Sequence, residues 1–283
     1  MSESPVTVYT PDSSLANPAV MVRGMFRDLM ASRGLAWRLA SRDINAHYRQ
    51  AFLGLLWAFI MPLANTITWI FLSSTGIVSV GKTALPYPVY VLTGTMLWAI
   101  LMDAMNAPLA HTNAARGMLT KLNFPREAIL LSGIYQTLFN AAIKVCLLIP
   151  ALLIMGVNPG WGVLLFPFGL LSLVLVGTAA GLLITPVGML YTDIGRALPL
   201  MMQFLMYLSP VVFPAPQEGL ASALFQLNPL TPVILTARDW LTGRPPEFLG
   251  FFLAVNTIAV VSLLVVWIAY RLAMPILIER MSA

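Results

Sequence analysis

The chain has 283 residues, of which 59% are apolar or aromatic and only 10% charged, with a formal charge of +5. Soluble domains carry roughly 25% charged residues, so this composition excludes a water-soluble globular fold and points to a bundle embedded in lipid. The basic excess does not lie on a polar face interleaved with aromatic rings, which argues against nucleic-acid binding; a lone cysteine, Cys146, excludes an intrachain disulfide or a cysteine-based zinc cluster.

In chain order, residues 1–22 are dominated by Ser, Pro and Asp and have neither the basic start nor the apolar core of a signal peptide. They read as a disordered cytoplasmic tail. Residues 23–51 read as an amphipathic helix lying in the headgroup layer. On a helical wheel Arg38, Arg42, Asn45 and Arg49 form one stripe, and Ala36, Trp37, Ala40, Ile44 and Tyr48 gather opposite. Such a basic helix either anchors the chain or receives a cytoplasmic partner.

Residues 52–283 read as one transmembrane domain. A span needs about 20 apolar residues, and six stretches qualify, near 53–74, 88–110, 128–156, 161–190, 197–213 and 249–271. Pro186 predicts a kink or early end in the fourth; Pro199 and Pro210 bracket a short fifth. Twelve Arg and Lys fall on one side of these spans, against Lys82, Arg238 and Arg244 on the other. Cytoplasmic loops keep the basic excess, so both termini are expected in the cytoplasm.

The loop at 111–127 carries Arg116, Lys121 and Arg126 around Met118, Leu119, Leu122 and Phe124, an apolar patch rimmed by cations of the kind that marks a binding site. Between the last two spans, six prolines in 214–248 exclude a continuous span, yet 220–227 and 233–241 are too apolar for a solvated loop. A re-entrant helical hairpin on the extracytoplasmic side, near the exit of a pathway, is the expected solution.

Residues 76–83 match the phosphate-loop pattern G-x-x-x-x-G-K-[ST]. A working loop needs a strand before and a helix after it; here a span precedes and Leu85-Pro86-Tyr87-Pro88 follows, so the match reads as a turn. Asp103 and Lys144 lie inside spans, where ionisable side chains are functional candidates. Counted from the basic ends of their spans, at about 7 and about 16 residues, their depths differ by over about 10 Å. No direct ion pair is therefore expected: Lys144 is left to face an aqueous path or snorkel, Asp103 to find hydroxyls or a neighbouring helix. With His47 and His111 the sole histidines and no carboxylate pair in any span, neither a metal site nor a general acid–base pair emerges. The aromatic rings of Trp57, Trp69, Trp98, Phe204, Tyr207 and Phe213 either fill helix contacts or, with Lys144, line a pathway on which flat sugar faces stack without tight binding.

The block Leu39-Ala40-Ser41-Arg42-Asp43-Ile44-Asn45-Ala46-His47-Tyr48-Arg49-Gln50, followed by Leu53-Gly54-Leu55-Leu56-Trp57-Ala58 and Met61-Pro62-Leu63, resembles the start of the membrane subunit of type-2 ABC exporters for O-antigen, capsule or teichoic acid polymers. Lys121-Leu122-Asn123-Phe124-Pro125-Arg126, Tyr191-Thr192-Asp193-Ile194-Gly195-Arg196, Ser209-Pro210-Val211 and Leu227-Asn228-Pro229-Leu230-Thr231-Pro232 are similar to that family's pattern in order and spacing. Thr192 departs from it, since an Arg often stands before the Asp.

The resemblance implies a six-span, all-α permease of the bacterial cytoplasmic membrane that pairs with a copy of itself and with two ATPase subunits. ATP and Mg would be bound by those partners and no cofactor by this chain. It also implies that the interfacial helix (Trp37, Arg38, Arg42, Tyr48, Arg49) and the 111–127 segment (Arg116, Lys121, Phe124, Pro125, Arg126) receive the ATPase, and that a lipid-linked polysaccharide is the cargo. A type-2 permease for a drug or lipid keeps the architecture with another cargo; a membrane glycosyl- or phosphotransferase would need a polar cluster at one membrane face, where this sequence has scattered residues.

Overall fold

The computed structural model describes residues 18–49, 56–78, 80–81, 83–121, 125–216 and 218–282. Among the described residues the regular structure is helical: α1 (Pro18–Ala31), α2 (Arg33–Arg49), α3 (Trp57–Ser74), α4 (Tyr87–Ala114), α5 (Arg116–Lys121), α6 (Arg126–Ile154), α7 (Phe166–Leu190), α8 (Thr192–Tyr207), α9 (Gly219–Leu227), α10 (Leu230–Leu241) and α11 (Leu249–Ser282). Four of these helices, α4, α6, α7 and α11, are long and apolar enough to cross a membrane; the apolar part of α3 is shorter.

Helix α4 is the axis of the bundle. Every residue from Val89 to Trp98 is buried, as are Ile100, Leu101 and Ala104, because helices cover it on most sides; a helix apolar all round belongs in an interior. Its closest neighbour is α7. Lipid tails are as apolar as leucine, so helices in a membrane associate through tight packing, and small residues permit it. Gly177 and Gly181 supply that: a Cβ at Gly181 would stand 2.1 Å from the Met105 carbonyl oxygen, and one at Gly177 would stand 2.6 Å from the Ala104 Cβ. Helix α10, buried along Leu230–Ile234 and Thr236–Arg238, wedges between α4, α7 and α11. Trp240 meets Phe252 of α11 edge-on at 5.2 Å.

A second apolar cluster forms at the Arg-rich end, where Met25, Leu119, Ile129, Tyr270, Met274 and Leu277 meet. Helix α2 packs along α6 by its Ala36 and Ala40 face, both residues wholly buried. This is the small-residue side of the stripe seen in the sequence.

Several expectations change. The helical start at Pro18 takes residues 18–22 out of the expected tail, and a break at Ser32 divides the single interfacial helix into two. The 111–127 loop is largely helical: α4 runs on to Ala114 and α5 follows, its Leu119 buried against the second cluster instead of exposed. The fourth span begins at Phe166 after a short 3₁₀ turn at Gly160–Leu164, and Pro186 lies inside it without ending it. Gly188, closed onto Leu109, holds the last turn in place. The fifth helix starts at Thr192, with Asp193 in its first turn where a carboxylate suits the helix dipole, and ends at Tyr207. The expected hairpin segments are matched closely by α9 and α10. In the 76–83 stretch, Gly76 turns the chain out of α3 with φ 74°, and Ser79 and Lys82 lie outside the described residues.

Gly181→Ala is expected to cost about 3 kcal/mol, the upper part of the overpacking range, because the obstacle is backbone. Gly24→Ala, with nothing within 4 Å, should be neutral or stabilising by up to about 1 kcal/mol. Thermal unfolding of the two variants in detergent measures the contrast.

Candidate functional site

Helices α3, α4 and α8 enclose an open groove of about 390 Å³. Its polar and aromatic lining comes from Asn65 and Trp69 of α3, Trp98 and Asp103 of α4, and Gln203 and Tyr207 of α8. A hydrogen bond between the Thr66 and Thr95 hydroxyls, 3.1 Å apart, joins α3 to α4 behind it. At the end away from the Arg-rich surface, Trp69 meets Phe213 edge-on at 5.2 Å and Tyr207 at 6.0 Å. Three rings from two helices and one turn thereby converge.

Of the expected pathway residues, Trp69, Trp98 and Tyr207 line this groove, and Phe213 abuts it through Trp69. Trp57 and Phe204 do not line it; both are exposed on the outside of their helices. Lys144 is not a lining residue either. It is buried behind the groove, its Nζ 2.5 Å from Asp103 Oδ2 and 3.3 Å from the Ala99 carbonyl, so the ion pair that was not expected is formed. The depth count failed because it used the helix ends as a common level. Gly133 of α6 lies against Ala107 and His111 of α4, and from that register the antiparallel helices bring Lys144 level with Ala99, about one turn from Asp103. Side chains tilt toward their own helix N-terminus, which in antiparallel neighbours closes the remaining gap. The lysine side chain is 6% exposed and the aspartate 35%: the carboxylate faces the groove and the cation neutralises it from within.

Asn65, Asp103 and Gln203 also line it and were not singled out for it. The available signal was an amide inside each of two apolar spans, at Asn65 and Gln203. Arg238 was counted as a loop charge, yet it is 2% exposed on α10, its Cζ 3.8 Å over the Tyr90 ring.

At the Arg-rich end, Arg271 of α11 pairs with Asp28 of α1 at 2.6 Å and with Glu127 of α6 at 3.0 Å. Arg126, expected as a docking cation, is half-buried and donates to the Arg271 carbonyl at 3.5 Å. Arg116 and Pro125 are exposed. The side chain of Lys121 and all of Phe124 lie outside the described residues. On α2, Arg38 is exposed, Arg42 pairs with Asp43 at 2.8 Å, and the largely exposed Trp37 meets Tyr135 of α6 edge-on at 6.0 Å. The side chains of Tyr48 and Arg49 are likewise outside the described set. Among the described residues no group of His, Cys, Asp and Glu is placed to hold a metal ion.

Four apolar helices of spanning length, with a groove that carries polar groups along one of them, define a multi-pass membrane protein. The chain belongs to the ABC-2 type transporter family, which it matches over residues 35–241. It is 25% identical over 214 residues to the O-antigen export system permease protein RfbA of Myxococcus xanthus, covering 74% of this chain and 80% of that one. To the polysialic acid transport protein KpsM of Escherichia coli it is 23% identical over 239 residues, covering 82% and 89%. As a family member the chain is a transport subunit, with ATP hydrolysis in a separate subunit.

Asp103→Asn removes the counter-charge of a buried ammonium and should destabilise by about 3 kcal/mol. Lys144→Met leaves a carboxylate that the open groove still hydrates, and should cost about 1 kcal/mol. Denaturation of both variants in detergent should show that order; equal losses would contradict the burial asymmetry.

Proposed function

We propose that this chain is the permease subunit of an exporter that moves a lipid-linked polysaccharide of O-antigen type across the bacterial cytoplasmic membrane. The observation that carries the reading is the groove: flat aromatic faces, amide side chains and one internally neutralised carboxylate, open along one side. A long hydrated polymer moves only where no single repeat binds tightly, and rings with scattered hydrogen-bonding groups give weak, repeated contacts. The names of the relatives, O-antigen export and polysialic acid transport, support the same cargo class.

In this reading α3 and α8 complete six spans with α4, α6, α7 and α11, and the twelve Arg and Lys of the basic side keep both termini in the cytoplasm. The α9–α10 hairpin enters the membrane from the opposite face and returns. A second copy closes the groove into a channel, and two ATPase subunits, which bind ATP and Mg, dock on the cytoplasmic face. Residues 23–51 and the segment around Arg116, Lys121, Phe124, Pro125 and Arg126 receive them. Arg126 then acts through the junction of α6 and α11, while Arg116 meets the partner directly.

Deleting the gene should abolish surface polysaccharide in the source organism, and Trp69→Ala with Tyr207→Ala should cut its export severalfold while the transporter still assembles. For docking, Arg116→Glu combined with Lys121→Glu should lower copurification of the coexpressed ATPase about tenfold, or about 1.4 kcal/mol. Undiminished recovery of the ATPase would remove this segment from the interface.

A further inference from the structure

Between α8 and α9 the chain leaves the helix, and Ser209, Val211 and Val212 are buried. Irregular backbone in such a place needs partners for its carbonyls. Four are supplied by side chains from other parts of the fold. Asn228 Nδ2 donates to the Leu208 carbonyl at 2.9 Å and to the Ser209 hydroxyl at 2.8 Å. The Tyr90 hydroxyl of α4 is shared between the carbonyls of Pro210 at 3.0 Å and Phe213 at 3.1 Å. Arg238 Nη2 of α10 donates to the Val211 carbonyl at 3.1 Å.

The grip is built into α4 as well. A Cβ at Gly94 would stand 2.1 Å from the Val211 oxygen and 2.5 Å from Arg238 Nη2, so only glycine leaves room for both. The guanidinium rests on the Tyr90 ring, an orientation favourable for a cation. Among the described residues its Nε and Nη1 have no hydrogen-bond partner. A fully buried cation with two idle donors costs free energy that an aliphatic side chain would not. Core filling alone does not account for it.

What the held segment carries is Phe213, the ring that closes on Trp69, which in turn meets Tyr207 at the end of the groove. We infer that Arg238 and Tyr90 are positioning residues that clamp residues 208–213 and so hold Phe213, Trp69 and Tyr207 as the closed extracytoplasmic end of the groove. The clamp is releasable, since its cation keeps two donors free to take up carbonyls as the segment shifts. This inference rests on the reading of the groove as the export path and on the orientation proposed with it.

The test uses the complete transporter, assembled with its ATPase, in a Cys146→Ser background carrying Gln203→Cys in the groove. A bulky, membrane-impermeant maleimide is applied to either face in the absence of ATP. With the clamp intact, the Gln203→Cys site should react from the cytoplasmic face and stay protected from the other. Tyr90→Phe, which keeps the ring and loses only the hydroxyl, and Arg238→Gln should each raise extracytoplasmic labelling at least tenfold. Leu148→Ala, a cavity in the same core at a side chain that makes none of the segment's hydrogen bonds, should leave it unchanged and so controls for general loosening. Unaltered protection in assembled Tyr90→Phe and Arg238→Gln transporters would overturn the clamp while leaving the path in place. A Gln203→Cys site unreactive from both faces would remove the path itself, and the clamp with it.

Discussion

The close approach of α4 and α7 is the constraint on which the other features depend. With no hydrophobic gain from bringing two apolar helices together in lipid, contact has to come from packing that larger side chains forbid. Gly177 and Gly181 let the backbone of α7 sit directly against Ala104 and the Met105 carbonyl. With that side of α4 occupied, its remaining sides are left for the working parts. Thr95 joins α3, Asp103 looks into the groove, and Tyr90 and Gly94 receive the turn after α8.

Polar side chains inside the bundle follow one logic. Two ion-paired sites show it: each joins neighbouring elements and also builds a surface. Asp103 faces the groove with Lys144 paired to it from behind. Arg271 ties α1 and α6 to α11 through two carboxylates, which fixes the arrangement of helices behind the basic surface. In both places the ion pair sets the position of a helix, and the helix presents the groups that meet a ligand or a partner.

Hydropathy alone located most of the helices, because apolar runs of this length have few other physical solutions. It even separated α9 from α10, since Pro229 and the apolar runs on either side of it are explicit. Helix ends were less legible. Pro186 and Pro199 sit inside helices where a local rule places a boundary, because tertiary contacts override it. The site was legible only in part for a related reason: Trp69 and Trp57 look alike in the sequence, and only the packing of α3 against α4 decides which ring turns inward. Arg238 was misread as a loop charge because charge counting assumes solvent, whereas its position among Ile234, Ala237 and Leu241 places it on a buried face.

Helix α11 runs unbroken for 34 residues, about 51 Å at 1.5 Å per residue, against a hydrocarbon layer about 30 Å thick. It is bolted to α1 and α6 through Arg271, eleven residues before its end at Ser282, and near its start it rests against Trp240 of α10 through Phe252. Lever geometry then applies: Arg271 and Phe252 are 19 residues apart, about 28 Å, so a tilt of about 10° about Arg271 swings the Phe252 end by about 5 Å. Force delivered at the basic surface need not be relayed residue by residue to reach the far side of the bilayer.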